Sequence, residues 1–78
     1  MWYYVYILEC GDGRPYVGFT IDLKDRLRRH RKGWVSATKN RLPVRLKTAI
    51  AFRDKYGALK FEKYLKSGSG RAFAKRHF

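Results

Sequence analysis

The stretch that decides the fold runs Tyr3-Tyr4-Val5-Tyr6-Ile7-Leu8-Glu9-Cys10, then Gly11-Asp12-Gly13-Arg14-Pro15, then Tyr16-Val17-Gly18-Phe19-Thr20. Its two flanks are rich in the aromatic and branched residues that strands favour, and its middle has the composition of a turn. It therefore predicts a β-hairpin. We expect a five-residue loop, with Cys10 opposite Tyr16, because that register places Tyr6 and Tyr16 on one face, whereas a four-residue loop would separate them.

The residues after the hairpin predict a helix, a loop and a third strand. Asp22 is suited to cap a helix that begins at Leu23, and Gly33 is suited to end it. A polar and basic loop follows over residues 34–43. Residues 44–53 then alternate between core-type and mostly basic side chains, which predicts a strand with one core face and one basic face. The core face would hold Val44, Leu46, Thr48, Ile50 and Phe52.

The last third of the chain predicts a second helix. Asp54 can cap it, and Ala58, Phe61 and Leu65 form its apolar stripe. We expect residues 67–70, with the sequence Ser-Gly-Ser-Gly, to break this helix, and residues 71–78 to form a short C-terminal helix or tail. The order ββαβα predicts an α+β fold in which helices flank a three-stranded, mainly antiparallel sheet, as a single domain over residues 1–78.

The charge balance predicts a polyanionic partner. The chain has 19 Lys and Arg against 6 Asp and Glu, a formal net charge of +13. Nucleic acid, DNA or RNA, is the favoured partner, and an anionic membrane surface or ribosomal RNA is the competitor. The basic residues of the first helix and the following loop are the expected nucleic-acid contacts: Lys24, Arg28, Arg31, Lys39 and Arg41.

Other classes of protein fit the sequence poorly. No apolar run approaches the ~20 residues that span a bilayer, and nothing near Met1 reads as a cleavable signal. The single cysteine, Cys10, excludes an internal disulfide and is a poor start for a zinc site. We therefore expect a cytoplasmic protein with no membrane partner.

Glu62 is the candidate metal ligand. It lies at the border of the apolar stripe of the second helix, where a lone glutamate is most often simply solvated. Acidic residues are scarce in this chain, however, and several of the others have turn or capping roles. No Asp-x-Asp pattern suggests a two-metal site. A single Mg²⁺ needs only one or two carboxylates, because it keeps water and phosphate oxygens as its other ligands.

Arg26 and two tyrosines complete the candidate site. Arg26 shares a helix side with Leu23 and Leu27, where its guanidinium could fork onto phosphate oxygens, although packing over the core edge or general DNA binding would also explain it. Tyr6 and Tyr16 are by default core aromatics. A phenol with a pKa near 10 acts as a base at neutral pH only beside positive charge, which this chain has in excess.

His30 lies near the end of the first helix, one turn after Arg26. A cation there is favoured by the helix dipole, which is a sufficient explanation for a histidine at this position. The alternative is that His30 shuttles a proton. Gly18 is unfavourable inside a strand and indicates a close approach to the backbone, either by a substrate or by the first helix.

Taken together, these residues resemble the GIY-YIG nuclease family. Its first motif is matched by Tyr4-Val5-Tyr6 and its second by Tyr16-Val17-Gly18, with Tyr4 and Val5 in place of glycine and isoleucine and Val17 in place of isoleucine. The helix around Arg26 and the late helix with Glu62 follow in the same order. The resemblance covers residues 3–70 and is to the small single-domain bacterial branch, similar to the N-terminal nuclease domain of the bacterial excinuclease.

The resemblance implies hydrolysis of a nucleic-acid phosphodiester with one divalent metal. Tyr6 would deprotonate the attacking water, Glu62 would hold Mg²⁺ or Mn²⁺, Arg26 would bind the scissile phosphate, and Tyr16 would orient the phosphate or the water. Other members add a histidine or lysine after the first helix and an asparagine near the end. Lys39 or His30 could replace the former, and the latter has no match.

Three functions therefore compete. The first is a DNA endonuclease, structure-specific in the manner of repair and recombination enzymes. The second is a basic nucleic-acid-binding module with weak or no catalysis. The third is a structural protein associated with RNA or the ribosome. The chain carries no targeting domain of its own, so we expect a protein partner or a homodimer for targeting.

Overall fold

The computed structural model describes residues 1–78 and confirms the predicted α+β fold. Three strands and three helices follow in the order ββαβαα: β1 Tyr3–Cys10, β2 Pro15–Thr20, α1 Leu23–Arg31, β3 Val44–Phe52, α2 Lys55–Leu65 and α3 Gly68–His77. None of the helices has the length and apolar character that crossing a bilayer requires.

Strand β1 is the centre of the sheet, and both of its faces are buried. Strands β2 and β3 pair with it on either side, both antiparallel, in the order β2-β1-β3. On one face, Val5 and Ile7 pack with α2 and α3, and on the other face, Tyr6 and Leu8 pack with α1. A central strand that is covered on both sides reads as a nearly continuous apolar run, which is the pattern of residues 3–10.

The hairpin register differs from the predicted one by two residues. Leu8, and not Cys10, lies opposite Tyr16. The turn is tighter than predicted, because the amide of Cys10 donates to the carbonyl of Arg14 (3.3 Å) and the amide of Gly13 donates to the carbonyl of Cys10 (2.9 Å). Since side chains alternate with a period of two, a shift of two residues leaves every side chain on its predicted face.

A bulge divides β3 between the two faces of the sheet, so the prediction of one core face is wrong. Thr48 lies opposite Ile7, but Leu46 lies opposite Leu8, which leaves Lys47 as an extra residue. Paired residues of an antiparallel ladder point to the same side. The side chains of Thr48, Ile50 and Phe52 therefore lie on the side of α2 and α3, whereas those of Val44 and Leu46 lie on the side of α1.

The Ser-Gly-Ser-Gly segment ends α2 and also begins another helix. The side chain of Ser67 accepts a hydrogen bond from the amide of Gly70 (3.1 Å), which is the geometry of an N-cap. The predicted short C-terminal element is thus α3, ten residues long. Its residue Ala74, together with Phe78, packs on the core beneath Val5 and Ile7.

Gly70 is where α3 approaches α2 most closely, and this contact can be tested. A Cβ at Gly70 would overlap the backbone of Tyr64 and Leu65, whereas a Cβ at Gly68 would meet nothing. We expect Gly70→Ala to lower the free energy of unfolding by about 1–3 kcal/mol, as overpacking does. Gly68→Ala should leave it unchanged or raise it by about 0.4–1 kcal/mol. Urea denaturation of both variants is the measurement, and equal stabilities would contradict the assignment.

Candidate active site

Tyr6 reaches across the hairpin over a glycine. Its side chain is fully buried, and its partner in the ladder is Gly18, where a Cβ would overlap the phenol ring and hydroxyl. The predicted close approach at Gly18 is therefore real, but the approaching group is the phenol of Tyr6 and not a substrate or the first helix. Gly18 is what allows the hydroxyl of Tyr6 to reach α1.

Tyr16 lies on the same face, as predicted. The ring centroids of Tyr6 and Tyr16 are 6.4 Å apart, and the ring of Tyr16 meets the imidazole of His30 edge-on at 5.3 Å. Tyr16 is half-buried. One phenol of the pair is therefore enclosed and the other remains open to a ligand.

Helix α1 delivers Arg26 and His30 to the hydroxyl of Tyr6. The side chain of Asp22 accepts from the amide of Asp25 (3.1 Å) and fixes the start of the helix as predicted. One turn separates Arg26 from His30. The Nε–H of Arg26 donates to the phenol oxygen of Tyr6 at 3.4 Å, and Nε2 of His30 lies 2.7 Å from the same oxygen.

His30 is held from its other side by a residue that sequence reasoning missed. Its Nδ1 lies 2.7 Å from Oγ1 of Thr38, and both side chains have no exposed surface. Thr38 belongs to the loop between α1 and β3, where no periodic pattern singles out any residue. The pairing of a loop hydroxyl with a helix residue eight positions earlier is tertiary, so no local signal announces it.

Burial and charge set the protonation states of this group. Burial raises the pKa of Tyr6 above its ordinary value, the hydrogen bond from Arg26 opposes the rise, and the nearby charge of Glu62 adds to it. Burial, followed by the positive charge of Arg26, lowers the pKa of His30 to about 4. At neutral pH the site therefore holds a neutral phenol, a neutral imidazole and a charged guanidinium.

Glu62 lies on α2, which packs on the opposite face of the sheet from α1. Its side chain is only 20% exposed, and its Oε2 accepts from Nζ of Lys66 at 3.1 Å. The charge of Glu62 makes a small contribution to the raised pKa of Tyr6, after burial and the nearer groups. No group of three or more His, Cys, Asp or Glu residues is arranged to hold a metal.

The remaining acids are engaged in structural contacts. Asp22 and Asp54 cap helices, and Asp25 pairs with two arginines of its own helix. Asp12 pairs with Arg41, and Glu9 pairs with Arg45. A hard divalent cation such as Mg²⁺ accepts one carboxylate together with water and phosphate oxygens, so the single half-buried carboxylate of Glu62 fits such an ion.

The predicted nucleic-acid contacts fall into two groups. Lys24, Arg31 and Lys39 are exposed. Arg28 is also exposed, although it pairs with Asp25 (2.8 Å) and lies over the ring of Trp34. Arg41 differs, because its guanidinium donates to Asp12 (2.7 and 3.3 Å) and to two carbonyls of the hairpin turn. Arg41 joins the loop to the hairpin and has little left to offer a phosphate.

Comparison with known proteins places the chain in a family. A profile described as the GIY-YIG catalytic domain matches residues 2–76. A UPF0213 protein of Streptococcus agalactiae is 40% identical over 95% of this chain and 89% of its own length, and one of Lacticaseibacillus paracasei is 48% identical over 82% and 73%.

A solved structure agrees with the match. The solution NMR structure of a UPF0213 protein from Bacillus halodurans superposes with a TM-score of 0.62 at 39% identity, covering 96% of this chain and 81% of the other. The candidate residues lie within the matched range: Tyr6, Tyr16, Arg26 and Glu62. The chain belongs to the GIY-YIG catalytic-domain family.

Proposed function

We propose that this protein is a metal-dependent endonuclease that hydrolyses DNA phosphodiester bonds. The observation that carries the proposal is the hydroxyl of Tyr6, buried between the guanidinium of Arg26 and the imidazole of His30, in a chain whose helix α2 carries the half-buried carboxylate of Glu62. A buried structural tyrosine needs one hydrogen-bond partner, which His30 alone would supply. A phenol that exchanges a proton also needs positive charge beside it, which Arg26 supplies.

The hydrogen bonds support a route for the proton of the attacking water. A neutral phenol is a weak base unless a neighbouring group accepts the phenol's own proton. Nε2 of His30 lies 2.7 Å away, and it can take that proton once a bound phosphate offsets the charge of Arg26, which otherwise helps to keep the imidazole neutral. As Arg26 turns from the phenol onto that phosphate, the buried oxygen of Tyr6 would open to the attacking water and take its proton. The guanidinium of Arg26 would bind the scissile phosphate and stabilise the negative charge that grows on it.

Two residues would complete the machinery. Glu62 would hold Mg²⁺ or Mn²⁺, and the ion when bound supplies charge stabilisation for the leaving oxygen. Tyr16, half-buried beside His30, would orient the phosphate or the water. Other members add a histidine or lysine after the first helix, and we assign that role to His30, on α1, rather than to Lys39, because His30 touches Tyr6 and Lys39 is exposed.

A single substitution separates catalysis from binding. We expect Glu62→Gln to lower cleavage of plasmid and branched DNA by at least about 10²-fold, since removing a central catalytic group commonly costs 10²–10³-fold or more. DNA binding should persist, because the variant loses one negative charge and no cation. The assay compares wild type and variant with Mg²⁺, Mn²⁺ or EDTA on gels.

The matched control is Glu9→Gln, which removes another carboxylate that is paired with an arginine, Arg45, on the sheet. It should cut like the wild type. Equal cutting by Glu62→Gln would contradict the assignment of Glu62. Retardation without cutting by the wild type would instead favour the binding module.

The depressed pKa of His30 predicts a dependence of stability on pH. The unfolded chain protonates this histidine near its ordinary pKa of 6.5, but the fold resists protonation until about pH 4 because Arg26, Tyr6, Tyr16 and Thr38 enclose the ring. The contribution is therefore complete above pH 6.5 and is lost as the pH falls toward 4. Between pH 7.5 and 4.5 the free energy of unfolding should drop by about 2–3 kcal/mol from this group.

Urea denaturation of wild type and His30→Gln at both pH values is the test. Asp12 and Asp25, whose pKa values are lowered by neighbouring arginines, lose their contributions at lower pH and do so in both proteins. The variant should therefore show a smaller drop than the wild type over this window. Parallel pH profiles would show that the imidazole is not held neutral.

The salt dependence of DNA binding distinguishes Lys39, which is exposed, from Arg41, which is paired with Asp12. Lys39→Gln should weaken DNA binding and reduce the slope of log K against log salt by about 0.9 if Lys39 contacts one phosphate. Arg41→Gln should leave the slope almost unchanged and lower the unfolding midpoint, because Arg41 is bound to Asp12. Fluorescence anisotropy with labelled duplex, in the Glu62→Gln background to prevent cutting, is the measurement. A reduced slope for Arg41→Gln and an unchanged slope for Lys39→Gln would show instead that Arg41 contacts the DNA.

A further inference from the structure

The hydroxyl of Tyr6 constrains which nitrogen of His30 carries the hydrogen. The phenol oxygen accepts from Nε–H of Arg26, and a guanidinium cannot accept in return. The phenol is fully buried, so its own O–H needs an acceptor, and the group in position is Nε2 of His30. Nε2 must then be bare. With Nε2 as that acceptor, the hydrogen of the neutral ring is on Nδ1, whereas the opposite tautomer would satisfy the hydroxyl hydrogen of Thr38 and leave that of Tyr6 without an acceptor.

That tautomer creates a buried donor on the opposite side of the ring. The Nδ1–H points at Oγ1 of Thr38, 2.7 Å away, in a pocket with no exposed surface on either side chain. A buried donor without an acceptor costs about 1–3 kcal/mol. Without the threonine oxygen, the ring would lower its energy by moving its hydrogen to Nε2 or by turning.

We infer that Thr38 is a positioning residue for the reaction: its oxygen accepts the Nδ1–H of His30 and thereby keeps Nε2 free to receive the proton of Tyr6. The inference rests on the proposed nuclease function. Thr38 touches neither Tyr6 nor Arg26 through a hydrogen bond, so it acts on the chemistry only through the imidazole. The loop that joins α1 to β3 is thus part of the active site by way of this one hydroxyl.

The tautomer can be observed directly, without substrate. In protein labelled with ¹⁵N at histidine, the two ring nitrogens have distinct shifts according to which one carries the hydrogen. The chain has two histidines, and the exposed His77 can be removed as His77→Gln to isolate the signals of His30. We expect the Nδ1–H tautomer in the wild type and its loss in Thr38→Val. Finding Nε2–H in the wild type, or an unchanged tautomer in Thr38→Val, overturns the inference.

Kinetics then connect the tautomer to the reaction. Thr38→Val should lower kcat about 10-fold or more with little change in KM, since general acid–base catalysis contributes about 10²–10⁴-fold and the variant weakens it without touching the substrate. Thr38→Ser keeps the oxygen and should restore most of kcat. Thr48→Val is the matched control, because Thr48 lies on the opposite face of the sheet beside Ile7.

The outcomes separate this inference from the proposed function. If the nuclease assignment fails, the wild type does not cut at all, and the ¹⁵N shifts still report whether Thr38 holds the ring. If the wild type cuts and Thr38→Val cuts equally well, the positioning role is wrong while the nuclease stands. Should Thr38→Val fail to fold, the wild-type tautomer together with the Thr38→Ser rate decides the question.

Discussion

The oxygen of Tyr6 is the point at which distant parts of the chain meet. It lies 2.7 Å from His30 and 3.4 Å from Arg26, residues that follow it by 24 and 20 positions. The side chain can reach them only because its cross-strand partner is Gly18. The hairpin register, the rotation of α1 about its axis and the course of the following loop must all be compatible with the contacts of this one hydroxyl and of the ring beside it.

The sheet separates two layers of helices, with α1 on one face and α2 and α3 on the other. Strand β1 buries Val5 and Ile7 against α2 and α3, and it buries Tyr6 and Leu8 against α1. The bulge at Lys47 lets β3 contribute apolar side chains to both layers. A domain of this size buries only about 60% of the surface of its unfolded chain, so a central strand that is used on both faces is an efficient source of core.

Local signals predicted the elements well and the long-range contacts less well. The caps at Asp22 and Asp54 follow from composition and periodicity, which act over a few residues. The hairpin register differs from the predicted one by two residues, because glycine-rich turns close in more than one way. Tyr6 and Tyr16 nevertheless share a face, because an even shift preserves the face of every side chain.

Other features depend on distant partners. Thr38 matters only because of His30, and Arg41 differs from its basic neighbours only through its bond to an aspartate 29 residues away.

The two layers also have a consequence for biosynthesis. The tyrosines, the arginine and the histidine lie within the first 30 residues, but the carboxylate proposed to hold the metal is residue 62, on the opposite layer. While the chain is emerging from the ribosome, its two motif tyrosines and Arg26 are synthesised before the carboxylate of Glu62. Under the proposed assignment, a chain that ends before α2 would have the phosphate-binding arginine and no carboxylate to hold the metal.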